Sequence, residues 1–90
     1  MTWKIEITPR ADRALRQIDR KEAERIRDFL YERIAPAEDP RSLGDALQGA
    51  RMAGLWRYRV GGYRFVVHIE DEVVRIVVVR IGHRREVYRS

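Results

Sequence analysis

Apolar and polar residues alternate over the first few positions of the chain. The apolar residues Trp3, Ile5 and Ile7 are each separated by one polar residue. A period of two is typical of a strand with one buried face. The sequence therefore predicts a first strand over residues 2–7.

Apolar residues at helical spacing follow this strand in the sequence. Thr8 before Pro9 is typical of a helix N-cap and first helical residue, and the apolar spacing after them predicts a first helix that ends near Ile18. Asp19, with Glu22 three residues later, predicts a capping box at the start of a second helix. One apolar stripe at helical spacing supports that second helix: Ala23, Ile26, Phe29, Leu30 and Ile34.

The second helix is predicted to end at about Ala35, because Pro36 cannot continue it. Residues 36–54 are rich in Pro, Gly, Ser and Asp, which is typical of a loop. Leu43 and Leu47 are the residues expected to hold this loop against the core.

Two alternating runs, residues 55–60 and 63–69, are joined by Gly61 and Gly62. Two such runs around two glycines predict a tight β-hairpin. After a short acidic turn, residues 73–81 are apolar on both faces apart from two arginines. This pattern predicts a central strand.

The predicted order is one strand, two helices, three antiparallel strands and a short polar tail. This order is typical of an α+β domain in which two helices pack on one face of a twisted, mainly antiparallel sheet. Ninety residues are enough for a single domain, residues 1–90, with one modest core. No apolar run approaches the roughly 18 residues that span a bilayer, so we expect a cytoplasmic protein that does not act in a membrane.

The net charge of +5 is concentrated in the C-terminal part of the chain. Residues 55–90 contain eight arginines and four acids, whereas residues 1–54 contain eleven cations and ten acids. The planar arginine fork suits phosphate, which indicates a polyanionic partner for the C-terminal part. The chain has no cysteine and only two histidines, so we expect no metal or other cofactor.

Pairing the hairpin outward from its glycines predicts a basic face. It sets Arg59 directly opposite Arg64 and adds Arg57 and His68, with no acid before Glu70. Like charges directly opposite destabilise a sheet, which indicates that an anion binds there; the alternative is a solvated face with splayed arginines. The other face is predicted to form the core through Trp56, Tyr58, Val60, Tyr63, Phe65, Val67 and Ile69.

The C-terminal tail adds further cations and an aromatic residue: His83, Arg84, Arg85, Tyr88 and Arg89. If the tail folds back beside the basic face, it supplies phosphate contacts and a stacking platform for single-stranded RNA. The alternative is that the tyrosine docks on the core and the arginines stay solvated.

Two segments, Leu-Trp-Arg-Tyr-Arg-Val-Gly-Gly-Tyr-Arg over residues 55–64 and Ile-Gly-His-Arg-Arg-Glu-Val-Tyr-Arg over residues 81–89, resemble the RelE/StbE toxin family. The resemblance extends over the whole chain and implies a RelE-like toxin of a type II toxin-antitoxin system. Such a toxin cleaves mRNA in the A site of the small ribosomal subunit by metal-independent 2′-hydroxyl attack. A RelB-like antitoxin neutralises it in a hetero-oligomeric complex.

The resemblance also implies catalytic residues, matched by position. Arg57 and Arg59 match the basic residues of the first hairpin strand, and Arg64 matches the arginine after Gly-Tyr. Arg84 matches the arginine that follows the last strand, and Tyr88 matches the tyrosine that supports the base beside the cut. We assign RNA contacts to three further tail residues: His83, Arg85 and Arg89.

The identity of the general base stays open. Some family members carry lysine where this chain has Arg57 and Arg59, and lysine can lose its proton whereas arginine effectively cannot. His83 is the remaining candidate for proton transfer. Two other functions are compatible with the sequence: a related ParE-type toxin that poisons gyrase through protein contact, and a non-catalytic RNA- or ribosome-binding module.

Overall fold

The computed structural model describes residues 2–83. These residues form five strands and two α-helices: β1 (Lys4–Ile7), α1 (Pro9–Gln17), α2 (Arg20–Asp28), β2 (Asp45–Ala46), β3 (Leu55–Val60), β4 (Tyr63–Glu70) and β5 (Arg75–His83). A π-helical segment, Phe29–Ile34, continues α2, and short 3-10 turns occur at Pro40–Leu43 and Ala50–Met52.

Both α-helices begin at the predicted caps. The Thr8 hydroxyl accepts a hydrogen bond from the third following main-chain N–H at 3.2 Å, and the Asp19 carboxylate accepts from the second at 3.1 Å. These contacts satisfy N–H groups that have no partner within the helix. Glu22 differs from the predicted capping box, because its carboxylate accepts from the Arg25 guanidinium at 3.4 Å.

The second helix changes geometry before its predicted end. The α-helical part stops at Asp28, and the π-helical segment carries the chain to Ile34. The N–H of Ala35 donates to the Leu30 carbonyl at 2.8 Å, a spacing of five residues. Leu30 and Ile34 are fully buried, so this segment contributes to the core as its apolar stripe predicted.

The strands form one mixed sheet in the order β1-β5-β4-β3-β2. β1 is parallel to β5, and the other pairs are antiparallel. β5 therefore lies inside the sheet, as its apolar pattern predicted. It starts at Arg75, two residues later than expected, because Val73 and Val74 belong to the preceding turn, where Val74 has a φ of 52°.

The segment predicted as a plain loop, residues 36–54, contains a strand at the sheet edge, so that expectation was wrong. In β2, Asp45 pairs with Arg57 of β3. A strand of two residues is too short to produce a recognisable alternation. Leu43 packs against the core as predicted, whereas Leu47 lines a groove on the other side of the sheet.

The helices cover one face of the sheet, where the core lies. Tyr58 and Phe65 are buried there with their rings stacked at 5.3 Å between centroids, and Phe29 packs edge-on against Phe65. The predicted core face of the hairpin is confirmed. Within residues 2–83, no helix is long and apolar enough to cross a membrane.

Candidate nucleic-acid interface

The sheet face turned away from the helices is called the open face below. Side chains alternate between the two faces of a strand, and Tyr58 and Phe65 point into the core. Their neighbours Arg57, Arg59 and Arg64 therefore lie on the open face. Arg59 is exposed, and the other two are half-buried. Three of the five predicted catalytic residues thus share one surface.

The predicted hairpin register is confirmed, and Arg59 lies directly opposite Arg64. Within residues 2–83, no carboxylate lies within ion-pair distance of Arg59. Two guanidinium groups in adjacent positions repel each other, and a phosphate bound between them would relieve that repulsion. The pair is therefore suited to binding an anion.

Arg57 has an acidic partner on the edge strand β2. Its guanidinium lies 3.3 Å from a carboxylate oxygen of Asp45, and its side chain is only 24% exposed. The hairpin itself contributes no acid to this face before Glu70, as predicted, but the edge strand β2, which was not predicted, brings Asp45 beside β3. The contact orients Arg57 and partly neutralises the basic face at that end.

His68 lies on the open face but at the far end of the hairpin. It pairs with Leu55, four residues along β4 from Arg64, a distance of roughly 13 Å along a strand. Its Nδ1 atom lies 3.8 Å from the Glu70 carboxylate. His68 therefore does not belong to the arginine cluster.

His83 lies on the helical side of the sheet. It pairs across strands with Tyr63, and the two rings meet edge to face at 5.9 Å. Both residues border a shallow cavity at the junction of α1 and α2, beside Ile18 and Asp19. The structure therefore separates His83 from Arg64 by the thickness of the sheet. The predicted residues Arg84, Arg85, Tyr88 and Arg89 lie outside the described residues.

Sequence reasoning missed Arg80, which lines a groove of about 220 Å³. Besides Arg80, the groove is bordered by Arg10 from the start of α1 and by five apolar residues: Leu47, Met52, Leu55, Val66 and Val79. Val66 of β4 pairs with Arg80 of β5 on one side and with Arg57 of β3 on the other. The signal available in the sequence was that Arg80 is one of two arginines in an otherwise apolar central strand.

Tyr58 connects the core to the segment that carries Asp45. Its hydroxyl donates to the Pro40 carbonyl at 2.7 Å, and burial raises the pKa of Tyr58 to about 12. Gly44 packs so closely here that a Cβ atom would lie 2.6 Å from the Arg57 carbonyl oxygen and 2.8 Å from the Tyr58 ring. These contacts place β2 beside β3 and so position the Asp45 carboxylate.

Arg41 ties the same segment to the turn between β4 and β5. Its guanidinium donates to Asp71, and this hydrogen bond lowers the pKa of the Asp71 carboxyl. Arg41 also lies over the Trp56 ring, 5.9 Å from its centroid. Arg41 therefore fixes the 3-10 turn Pro40–Leu43, which precedes β2, through contacts with both Asp71 and Trp56.

The arginine cluster can bind and stabilise a negatively charged group. In the described part of the chain it contains no side chain that readily exchanges a proton at neutral pH, since His68 and His83 both lie elsewhere. Its chemistry is therefore electrostatic. The fold and this surface define a small basic α+β domain suited to a polyanionic partner.

Comparison with known proteins gives the family. The family model described as ParE toxin of type II toxin-antitoxin system, parDE, matches residues 5–88. The chain belongs to this family, within the RelE/ParE superfamily of toxins.

Relatives with other names are also similar to the chain. Toxin RelG of Mycobacterium tuberculosis is 27% identical over 89 residues, which cover 99% of both chains. The toxin-antitoxin complex RelBE2 from the same organism contains a chain that is 25% identical, with a TM-score of 0.83 and 93% of each chain covered. A mutant of the Escherichia coli toxin RelE in the free state shares the fold, with 24% identity, a TM-score of 0.79, and coverage of 96% of this chain and 87% of that one.

Proposed function

We propose that this toxin is a ribosome-dependent endoribonuclease that cleaves mRNA in the A site of the small ribosomal subunit. The observation that carries the proposal is the cross-strand pair Arg59 and Arg64, with Arg57 on the same face. A sheet selected for stability alone would place an acid or a neutral residue opposite Arg59. Sequence similarity to the toxin RelG and to a chain of the RelBE2 complex supports the RelE-like assignment.

The reaction we propose is attack of a ribose 2′-hydroxyl on the adjacent 3′ phosphate. A bond forms between O2′ and phosphorus, and the bond between phosphorus and the 5′ oxygen of the next nucleotide breaks. The 2′-hydroxyl loses its proton and the leaving oxygen takes one up, so that the products are a 2′,3′-cyclic phosphate and a 5′-hydroxyl with no net change in protons. Arg57, Arg59 and Arg64 stabilise the additional negative charge that develops on the phosphorane.

The remaining predicted roles fall on the tail, outside the described residues. We assign Arg84 to the leaving oxygen and Tyr88 to stacking on the base beside the cut. Because arginine does not act as a base at neutral pH, positioning must contribute much of the rate. A ribosome that holds the mRNA in line for attack supplies this positioning, which explains why free RNA would be a poor substrate.

The proposed partner is a RelB-like antitoxin. The structure of RelBE2 is described as a toxin-antitoxin complex, and the intact E. coli RelBE and an archaeal RelE-RelB from Pyrococcus horikoshii were also solved as complexes. An acidic segment that folds on binding can cover a large basic surface. We propose that it does so here in a hetero-oligomer in the cytoplasm.

A second candidate function is inhibition of DNA gyrase, because the family model that matches the chain is named for ParE. A gyrase inhibitor acts through protein contact and has no need of opposed arginines on an open sheet face. The two functions therefore differ in which residues they require.

The deciding experiment compares mRNA cleavage on programmed ribosomes with supercoiling by purified gyrase. We expect cleavage in the A site, detected by toeprinting, with cyclic phosphate ends and no cutting of the same RNA without ribosomes. Phenanthroline, with magnesium kept for the ribosome, should leave the cleavage rate unchanged. Inhibition of gyrase without any cleavage would exclude the endoribonuclease and establish the second function.

A further inference from the structure

An irregularity in β5 turns Arg80 towards the open face. Val66 pairs with Arg80, but the next residue of β4, Val67, pairs with Val78. Val79 is therefore an extra residue in the ladder, and such a bulge re-aims the side chains that follow it. Strict alternation from the buried Ile76 would send Arg80 towards the helices instead.

The bulge brings Arg80 beside the arginines already described. Arg57, Val66 and Arg80 form one row across β3, β4 and β5. In the next row Arg64 lies opposite Gly82, which has no side chain, so Arg80 is the nearest side chain to Arg64 on β5. The open face therefore carries a cluster of four arginines on three adjacent strands: Arg57, Arg59, Arg64 and Arg80. Arg75 lies on the same face farther along β5, where it is paired with Glu70.

Arg80 is a half-buried cation that has no acidic partner among residues 2–83. In the described part of the chain, the groove that it lines contains Arg10 and otherwise apolar residues, and no carboxylate. Within residues 2–83, neither arginine forms an ion pair. Partly buried charges are normally paired with a charge of opposite sign, so this site is suited to binding an anion from outside the domain.

We propose that Arg80 binds a backbone phosphate of RNA next to the phosphate held by Arg57, Arg59 and Arg64. Arg57 and Arg80 are two strands apart, roughly 10 Å, and side chains stand almost perpendicular to a sheet. That separation is too wide for one phosphate and suits two phosphates of a single strand. This inference deepens the proposed function, because it extends the same surface along the RNA.

RNA is favoured over an acidic protein segment because Arg80 is continuous with the other three arginines. Four guanidinium forks on one face match a row of phosphates, each of which accepts two parallel hydrogen bonds. A carboxylate-bearing peptide is the other possible occupant, and the experiment distinguishes the two.

The test measures binding of a fluorescein-labelled, 12-nucleotide single-stranded RNA over a series of KCl concentrations. The variants are Arg80→Met, which keeps an apolar stem for the groove, Arg80→Lys, which keeps the charge, and the control Arg27→Gln on the exposed side of α2. We expect Arg80→Met to bind five- to tenfold more weakly, with a logarithmic salt slope lower by about 0.7. Arg80→Lys should keep the slope and lose about two- to threefold in affinity, and the control should match the parent.

A second measurement uses single-turnover cleavage on programmed ribosomes. A residue that holds a neighbouring phosphate equally in ground and transition states affects the half-saturating toxin concentration and not the saturated rate. The half-saturating concentration of the Arg80→Met toxin should therefore be five- to tenfold higher than that of the parent, with the saturated rate within about twofold of the parent.

The outcomes separate this inference from the proposed function. If the parent fails to cleave but Arg80→Met weakens RNA binding and lowers the salt slope, the endoribonuclease is wrong and the phosphate contact stands. If Arg80→Met binds RNA with the affinity and slope of Arg27→Gln, the phosphate contact is wrong. If Arg80→Met weakens binding of a poly-glutamate peptide but leaves RNA binding unchanged, the phosphate contact is also wrong, and an acidic protein segment is the occupant.

Discussion

Arg59 and Arg64 face each other directly across the β3–β4 hairpin, with Arg59 exposed and Arg64 half-buried. Opposed like charges destabilise a sheet by a few tenths of a kcal/mol or more. Within residues 2–83, Arg59 gains no ion pair that would offset this cost. The pair therefore indicates that this surface is adapted to bind an anion.

Replacement of Arg59 by Thr should separate stability from function. Thr favours strands and removes the repulsion, so we expect the free energy of unfolding to stay unchanged or rise by about 0.2–0.5 kcal/mol. Cleavage on programmed ribosomes should fall at least tenfold, whereas Arg27→Gln should cleave like the parent. Denaturant titration and single-turnover kinetics measure the two quantities. If the variant loses stability or keeps full activity, Arg59 is a solvated surface residue and does not bind the anion.

Asp45→Asn should strengthen RNA binding. The Asp45 carboxylate lies 3.3 Å from the Arg57 guanidinium and competes with a phosphate for it. Its removal should tighten binding of single-stranded RNA about two- to fivefold, while stability changes by less than about 1 kcal/mol, because the acid is 64% exposed. The matched control is Glu24→Gln, which breaks an ion pair with Arg20 on α2 and should leave affinity unchanged. Fluorescence anisotropy gives the affinities, and weaker binding by Asp45→Asn would mean that the acid mainly orients Arg57.

Tyr58→Phe should reduce stability at neutral pH and alter its alkaline dependence. The loss of the hydrogen bond to the buried Pro40 carbonyl should cost about 1–2 kcal/mol. Burial raises the pKa of Tyr58 to about 12, above the value of roughly 10 for an unfolded chain. Folding therefore favours the neutral phenol, and this contribution is complete below pH 10 and is lost as the pH rises towards 12.

Denaturant titrations at pH 8 and pH 11 test this expectation. The parent should lose more stability between the two values than Tyr58→Phe does. Tyr31→Phe removes a hydroxyl from a residue that is 56% exposed and should behave like the parent. Equal alkaline losses in the parent and Tyr58→Phe would show that other groups control the transition.

Tyr88, outside the described residues, is expected to stack on a base and not to transfer a proton. Base–aromatic stacking contributes roughly 1–3 kcal/mol, so Tyr88→Ala should slow single-turnover cleavage by about tenfold to a hundredfold. Tyr88→Phe should stay within a few-fold of the parent, because it keeps the ring. Ribosome affinity should change little in either variant, since phosphate contacts dominate it. If Tyr88→Phe cleaves as slowly as Tyr88→Ala, the hydroxyl takes part in the chemistry.

The sequence by itself determined the features that depend on nearby residues. The caps at Thr8 and Asp19 lie within one turn of the groups that they satisfy. The hairpin register follows from Gly61 and Gly62, since a two-residue turn and a period of two leave one pairing that buries Tyr58 with Phe65. The opposed arginines could therefore be located without a structure.

Only the tertiary structure decided which residues join those arginines. The parallel pairing of β1 with β5 and the edge strand that brings Asp45 to Arg57 are contacts between distant parts of the chain. The bulge at Val79 shifts the alternation of β5 by one position, which moves Arg80 onto the open face and His83 onto the helical side. A run of apolar residues carries no sign of such a shift, because either phase of the strand buries valine and isoleucine equally well.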